Sequence, residues 1–278
     1  MSKAAKVSAV ALLVALASAV APVTEAQPPI RIGATLPQTG VYAPPGQNLL
    51  RGYQLCVKHM NEKGGVLERK LELVVHDDGS DSATAVRLYE KLITQDKVDL
   101  VLGPYGSPIT DAVADVTEKH KMPMVAPVAA ETSIHRKGRK FTFGMLPDAG
   151  VFHEGLIDLA AKKGLKTVAL INVDDLGSRT VTQGGIQLAK KRGLQVVLVE
   201  AYPVGNTDFS AVLAKVRAAN PDVLGVAEGV VESGMAITRQ MKALNVNPRM
   251  VGMTPGVSQP RFYEVLGRDA EFVYMATH

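Results

Sequence analysis

Short apolar segments alternate with longer amphipathic segments along the chain from Ile30 onward. The longer segments carry apolar residues at helical spacing, as in "GQNLLRGYQLCVKHMNEKGG" (46–65), whereas "VDLVLG" (98–103) is apolar almost throughout. Near-continuous apolar strands separated by helices are typical of a parallel sheet that is covered on both faces. The pattern predicts strands at 30–36, 70–78, 98–103, 122–127, 166–172, 194–202, 221–228 and 249–254. It predicts helices at 46–65, 82–96, 107–120, 151–164, 178–193, 208–220 and 233–245.

The alternation begins again after "KFTFGML" (140–146), which divides the chain into two α/β units in series. No low-complexity linker separates the two units, so we expect a short, close-packed junction near Pro147. The predicted fold class is therefore α/β, with two doubly wound parallel-sheet lobes at 27–147 and 148–274. Connections of this kind are right-handed crossovers.

The first residues have the composition of a signal peptide rather than of a folded element. Lys3 and Lys6 precede the short apolar run "VSAVALLVALASAVA" (7–21), and "TEA" (24–26) supplies small residues at a cleavage site. We predict a signal peptide at 1–26 that is cleaved after Ala26. No cysteine stands at the cleavage site, so no lipid anchor is expected. The mature protein is expected to be exported and soluble, in the periplasm if the cell is Gram-negative.

Composition excludes several classes of function. Of the 278 residues, 46% are hydrophobic and 21% charged, as in ordinary globular proteins. The net charge is +4, and no run of Lys and Arg exceeds three residues, so no nucleic-acid partner is expected. The single cysteine, Cys56, cannot form an intramolecular disulfide, and its amphipathic setting predicts a buried structural thiol.

Motifs of enzymatic chemistry are missing from the sequence. The first predicted strand is followed by "GATLPQTG", which matches neither dinucleotide-binding nor phosphate-loop patterns, and no G-x-S-x-G turn occurs. The six histidines show no H-x-x-x-H spacing. The acidic stretch "HDDGSD" (76–81) does not continue as a calcium loop, so it is interpreted as a turn in which Ser80 or Asp81 caps the next helix. We expect no catalytic residue, cofactor or metal.

Two turns rich in small residues follow neighbouring predicted strands. In "LGPYGSPIT" (102–110), Gly106 exposes backbone, Ser107 suits a helix N-cap, and Pro108 suits the first helical position. The next strand ends in "APVAAETS" (126–133). Ligands of open α/β sheets bind outside the carboxyl ends of strands, and two free helix N-termini side by side would favour an anion such as a carboxylate. The alternative is that these residues only cap helices.

The order and spacing of several stretches resemble the substrate-binding proteins of ABC importers in the branched-chain amino-acid (Leu/Ile/Val-binding) class, which have the type I periplasmic binding fold. These stretches are "IRIGATLPQTGVYAPPGQ", "GYQLCVKHMNEKGGVLERKLELVVHDD", "VDLVLGPYGSPITDAV", "MPMVAPVAA" and "NPDVLGVAE". The resemblance runs from about Ile30 to the end of the chain. It implies two lobes joined by three crossing strands, with the ligand enclosed in the cleft between them.

The resemblance also implies which residues contact the ligand. Gly106 and Ser107 match the first carboxylate-binding loop of the family. Val128, Ala129 and Ala130 match the second loop, where Ala130 replaces a frequent threonine and Thr132 is the candidate to supply the missing hydroxyl.

In the second lobe the resemblance places Gly177 and Gly229 where the family often has aromatic residues. The position of the family's acidic partner for a ligand ammonium falls near Thr254. An enclosed ammonium without a carboxylate would cost several kcal/mol. Either Glu228, Asp174 or Asp175 takes this role, or the ligand is an aromatic or aliphatic carboxylate without an amino group.

Family members continue well beyond the strand that "AEFVYMATH" (270–278) resembles, so the chain is expected to be C-terminally truncated, with 275–278 starting a hinge crossover. The implied function is an exported, monomeric receptor that captures a small carboxylate and delivers it to the membrane permease of an ABC importer. An exported ligand sensor of the same fold is the alternative, and an α/β enzyme is a third, less favoured one.

Overall fold

A computed structural model describes residues 27–275, so the expected signal peptide (1–26) and the last three residues lie outside the described part. The strands are β1 Ile30–Leu36, β2 Leu71–Asp77, β3 Leu100–Leu102, β4 Met124–Ala126, β5 Thr142–Gly144, β6 Thr167–Val173, β7 Gln195–Tyr202, β8 Val223–Glu228, β9 Met250–Pro255 and β10 Val273–Met275. The α-helices are α1 Ala43–Glu62, α2 Ser82–Thr94, α3 Ser107–His120, α4 Thr132–Arg136, α5 Glu154–Lys162, α6 Leu176–Lys191, α7 Ser210–Ala219, α8 Val231–Ala243 and α9 Pro260–Leu266.

These strands form two five-stranded sheets in which every pairing is parallel, and this confirms the predicted fold class. The first sheet has the order β2-β1-β3-β4-β5, and the second has the equivalent order β7-β6-β8-β9-β10. In each sheet, the second strand along the chain lies on one side of the first strand and the later strands lie on the other side. The strand order therefore reverses between β1 and β3 in the first sheet and between β6 and β8 in the second. Ligands of doubly wound sheets bind at this reversal point.

The second sheet is packed on both faces, which explains why its strands are apolar almost throughout. All six residues of β8 are buried. Leu224 belongs to the core on one face and Val223 to the core on the other, since neighbouring strand residues point to opposite faces. A sheet covered on one face would instead show alternating polar positions.

The lobes are joined through a short 3₁₀ turn, Ala149–Val151, that packs against α6. A Cβ added to Gly184 of α6 would lie 1.9 Å from the carbonyl oxygen of Gly150, so the two backbones are in direct contact. The backbone N–H of Ala149 also donates to the carbonyl of Ala130, at 2.8 Å. This is the close packing expected at the junction.

Of the predictions about single residues, one about a helix cap is confirmed and one about a buried thiol is wrong. Asp81 caps α2, as expected, because its Oδ1 accepts a 2.7 Å hydrogen bond from the Thr84 N–H. The interpretation of Cys56 as a buried thiol is wrong, since Cys56 is exposed. Tyr53 is the side chain of this stretch that reaches the core, so the buried face of α1 is narrower than the apolar pattern indicated. The short helices α4 and α9 were not predicted.

No helix within residues 27–275 is both long and apolar enough to span a bilayer. The same residues contain no group of three or more His, Cys, Asp and Glu side chains placed to bind a metal ion.

Candidate functional site

A cavity of about 310 Å³ lies between the two lobes, at the carboxyl ends of their strands. Its wall in the first lobe includes Tyr42, Leu49, Tyr105, Gly106, Ser107 and Val128. Its wall in the second lobe includes Asp175, Gly177, Val181, Ala227, Gly229 and Thr254. Most of these side chains are apolar or small, and no Lys, Arg or His of the described residues lies on the wall.

The N-terminus of α3 is the most polar part of the first-lobe wall. Gly106 is its N-cap, with φ 87° and ψ 151°, and no side chain caps the helix. The prediction of Ser107 as the N-cap is therefore wrong by one residue, because the left-handed backbone at this point favours glycine. Ser107 becomes the first helical residue, and Pro108 follows it. The first N–H groups of a helix lack intrahelical partners and carry partial positive charge, so this end attracts an anion.

Ser107 lies where the two lobes meet. Its side chain is 6% exposed, and its Oγ accepts a 3.3 Å hydrogen bond from the backbone N–H of Glu131, which leaves the hydroxyl hydrogen for another acceptor. A Cβ at Gly177 of the second lobe would lie 3.1 Å from this oxygen. The glycine thus allows α6 to approach the Ser107 hydroxyl closely.

The second small-residue turn does not present a free helix N-terminus, contrary to the prediction. Glu131 is the N-cap of α4, and its Oε1 accepts a 3.0 Å hydrogen bond from the Ser133 N–H. Its Oε2 accepts a hydrogen bond from the Thr180 hydroxyl in the opposite lobe. The carboxylate of the chain itself occupies the place that an anionic ligand was expected to take.

The three acids considered as ammonium partners lie in different environments. Asp175 is the only Asp or Glu of residues 27–275 on the cavity wall. It caps α6 through a 2.8 Å hydrogen bond from the Ser178 N–H to Oδ1, and burial raises the pKa of its carboxyl. Asp174, next to it, is exposed and pairs with Arg179 at 2.7 Å.

Glu228 is 3% exposed and faces away from the main cavity. Its Oε2 accepts a 3.0 Å hydrogen bond from the Tyr202 hydroxyl, and its Oε1 accepts a 2.9 Å hydrogen bond from the Val230 N–H. Burial raises the pKa of Glu228 to about 7. The residue lines a smaller cavity of about 190 Å³, of which Tyr42 also forms part of the wall.

Of the eleven residues predicted as ligand contacts, eight lie on the wall of the main cavity: Gly106, Ser107, Val128, Ala130, Asp175, Gly177, Gly229 and Thr254. Ala129 is instead packed with Ala126 and Ile134, Thr132 begins α4, and Glu228 faces the smaller cavity. Thr254, at the end of β9, is 2% exposed and its hydroxyl has no partner among the described residues. Contact of any of these residues with a ligand stays a prediction.

Two tyrosines of the wall were missed from the sequence. Tyr42 and Tyr105 follow β1 and β3, the two strands that flank the reversal point of the first sheet, and their ring centroids are 5.7 Å apart. The signal was present, because both tyrosines stand in Gly- and Pro-rich loops after apolar strands. Tyr105 lies between Gly103 and Gly106 in the second of these loops. Leu49, Phe152 and Val181 were also missed.

Side-chain hydrogen bonds connect the lobes. The Tyr105 hydroxyl donates to the carbonyl of Gly229 at 3.2 Å, and the Thr180 hydroxyl donates to Glu131. The Asn48 amide donates to the Gln259 side chain at 3.3 Å. The lobes therefore contact each other beside the cavity as well as through the connecting chain.

Comparison with known proteins agrees with this architecture. A family model described as "Periplasmic binding protein" matches residues 29–278. The Leu/Ile/Val-binding protein BraC3 of Rhizobium johnstonii is 29% identical over 87% of this chain and 65% of its own length. A leucine-, isoleucine-, valine-, threonine- and alanine-binding protein of Pseudomonas aeruginosa is 26% identical over 87% of this chain and 64% of its own. The chain thus spans about 65% of the length of BraC3.

Among solved structures, the leucine-binding protein LivK from Thermotoga maritima superposes with a TM-score of 0.79 at 26% identity. The superposition covers 90% of this chain and 70% of that one.

Proposed function

Since this chain belongs to the periplasmic binding protein family, we propose that it is a solute-binding receptor for a small carboxylate. The observation that carries the proposal is the N-terminus of α3, which no side chain caps and which opens onto the cavity between the lobes. In this function the ligand carboxylate accepts hydrogen bonds from the first N–H groups of α3 and from the Ser107 hydroxyl. The proposal includes export to the periplasm, a monomeric state and delivery of the solute to the permease of an ABC importer.

The composition of the main-cavity wall is compatible with an anionic ligand that has no cationic side chain as its partner. Because no Lys, Arg or His lies on the described wall, the carboxylate would depend on N–H and O–H donors, as in other anion sites at helix N-termini. Hydrogen bonds to a charged group contribute about 1.5–3 kcal/mol each, and a micromolar Kd needs about 8 kcal/mol in total. Two or three such bonds and burial of an apolar ligand body are sufficient.

Two ligand classes fit the site. The relatives are named for branched-chain amino acids, and Asp175 would be the partner of an amino group. A carboxylate without an amino group, aliphatic or aromatic, would instead leave the Asp175 carboxyl to its capping bond.

A thermal-shift panel tests the proposal. It contains leucine, isoleucine, valine, 4-methylpentanoate, benzoate and 4-hydroxybenzoate, with the methyl ester of each positive compound as a control for the carboxylate charge. We expect at least one acid to raise the melting temperature and its ester to have no effect. Absence of a shift with every acid would refute the receptor function.

The variant Ser107→Ala tests whether the Ser107 hydroxyl contacts the ligand. We expect it to raise the Kd of the identified acid about tenfold or more, since a hydrogen bond to a charged group is lost. Ser82→Ala is the matched control, because Ser82 is likewise the first residue of a helix and lies outside the cavity wall. Equal affinities of the two variants would exclude the Ser107 hydroxyl as a ligand contact.

A further inference from the structure

The ring of Tyr105 crosses from the first lobe to the second. Its main chain belongs to the loop between β3 and α3, and its hydroxyl reaches the Gly229 carbonyl after β8, at 3.2 Å. The Tyr42 ring supports it from one side at 5.7 Å, with an angle of 47° between the ring planes. Both rings lie on the wall of the main cavity. Tyr105 is therefore fixed at its backbone, at its ring face and at its hydroxyl.

The rings of Tyr42 and Tyr105 also lie beside the boundary between the main cavity and the smaller cavity. Gly229 lies between Glu228 and Val230, both of which line the smaller cavity of about 190 Å³, and Tyr42 belongs to the walls of both cavities. The hydroxyl of Tyr105 is bonded to the main chain at this boundary. The main cavity is therefore bounded on this side by the Tyr105 ring together with the Gly229 backbone to which it is bonded.

We propose that Tyr105 is the residue that sets the size of ligand the cavity accepts, and that its hydrogen bond to Gly229 holds it in that position. The inference rests on the proposed function, since it concerns the same cavity. A rigid ring bonded across the cleft limits the length of a ligand more strictly than a mobile side chain, because moving it breaks the interlobe bond.

Gly229 offers an independent way to move the ring. A Cβ built on Gly229 meets only the Tyr105 hydroxyl oxygen within 4 Å, at 3.1 Å, and Gly229 does not have a positive φ. Alanine at this position therefore adds one methyl group whose effect is confined to Tyr105. It displaces the ring toward the cavity and reduces the space for the ligand. Removing the hydroxyl with Tyr105→Phe in the same chain relieves this contact.

The test measures Kd by calorimetry for two series, the straight-chain acids from butanoate to decanoate and the amino acids alanine, valine, leucine and phenylalanine. The readout is the ratio of Kd for a larger member to Kd for a smaller one. One methylene in an apolar pocket changes affinity by about tenfold or more. We expect Tyr105→Ala to shift the ratio about tenfold toward larger members and Gly229→Ala to shift it about tenfold toward smaller ones.

Two further variants separate size selection from general damage. Tyr105→Phe keeps the ring and loses the interlobe bond that holds it, so the ratio should shift about two- to fivefold toward larger members, less than in Tyr105→Ala. Gly229→Ala combined with Tyr105→Phe should show the same ratio as Tyr105→Phe alone, because the added methyl group then has no hydroxyl to contact. Circular dichroism confirms that each variant is folded, and Gly229→Ala still tests the inference if Tyr105→Ala does not fold.

The outcomes distinguish the two proposals. If the wild type binds an acid but Tyr105→Ala and Gly229→Ala change every Kd by the same factor, the role of Tyr105 in size selection is refuted and the receptor function stands. If the wild type binds no member of either series and no acid of the thermal-shift panel, the receptor function fails, and this inference fails with it.

Discussion

The hydroxyl of Tyr202 donates a 3.0 Å hydrogen bond to Oε2 of Glu228, and both side chains are buried in the second lobe. Phe209 packs edge-on against the Tyr202 ring at 5.0 Å, so the phenol cannot move without disturbing the core. The Val230 N–H is the second donor to the carboxyl group. These hydrogen bonds do not replace full hydration, and burial raises the pKa of Glu228 from 4.5 to about 7.

This raised pKa predicts a pH dependence of stability. The unfolded chain loses the Glu228 proton near pH 4.5 and the folded chain near pH 7, so the free energy of unfolding contributed by this group falls as the pH rises across that interval. Glu228→Gln removes the titration. We expect the free energy of unfolding of the variant minus that of the wild type to increase by about 3 kcal/mol as the pH rises from 4.5 to 8. Urea unfolding at four pH values measures this, and a pH-independent difference would contradict it.

His153 predicts a dependence of the opposite sign. It is fully buried beside Gly185 and Gly225, neither ring nitrogen has a partner among the described residues, and burial lowers its pKa from 6.5 to about 4. The unfolded chain binds the proton first as the pH falls, so stability is lost between pH 6.5 and 4.

His153→Leu removes this titration and keeps an apolar side chain of similar size in the core. We expect its stability relative to wild type to increase as the pH falls, by about 3 kcal/mol from pH 7.5 to 4. The measurement is urea unfolding at these two pH values. A variant that becomes less stable relative to wild type at low pH would show that the ring is protonated in the folded protein.

Asp175→Asn distinguishes the two ligand classes. Asparagine caps a helix about as well as aspartate, so the Ser178 N–H keeps an acceptor and only the charge is lost. We expect the variant to raise the Kd of leucine about tenfold or more relative to the Kd of 4-methylpentanoate, which has the same skeleton without the amino group. Calorimetry of both compounds gives the ratio. Asp174→Asn, at an exposed acid, is the control and should leave the ratio unchanged.

Two helical glycines form a matched pair for stability. A Cβ at Gly184 would lie 1.9 Å from the Gly150 carbonyl oxygen, whereas one at Gly52 of α1 meets nothing within 4 Å. We expect Gly184→Ala to destabilise by about 3 kcal/mol or more through this backbone contact. Gly52→Ala should stabilise by about 0.5–1 kcal/mol, as alanine does in helices. Thermal unfolding compares them, and equal effects would mean that α6 does not touch the interlobe turn.

The alternation of strands and helices could be predicted because a sheet covered on both faces requires apolar strands. β8, with all its residues buried, is such a strand. The loop after β3 could be predicted to lie at the cavity for a related reason, since the carboxyl ends of parallel strands meet at one side of the sheet. The sequence also indicated that Gly106 clears backbone there, and its positive φ agrees.

These patterns could not predict long-range contacts between side chains. Glu131 fills the N-terminus of α4 and bonds to Thr180, which is 49 positions away in the other lobe. Tyr105 bonds to Gly229 across a separation of 124. Helical spacing places Cys56 on the same stripe as core residues, yet its exposure depends on how far the first sheet extends under α1. Such facts depend on how the lobes are placed against each other.

The bond between Glu131 and Thr180 has a consequence for the motion of the molecule. Glu131 is 6% exposed, and one of its oxygens depends on a donor from the opposite lobe. When the lobes separate, that oxygen must find water instead, so the open and closed populations differ in energy even before a solute arrives. In the proposed receptor function, a ligand would add to a bias that the empty protein already has. The solute concentration for half-maximal closure would then depend on a threonine that does not need to touch the solute.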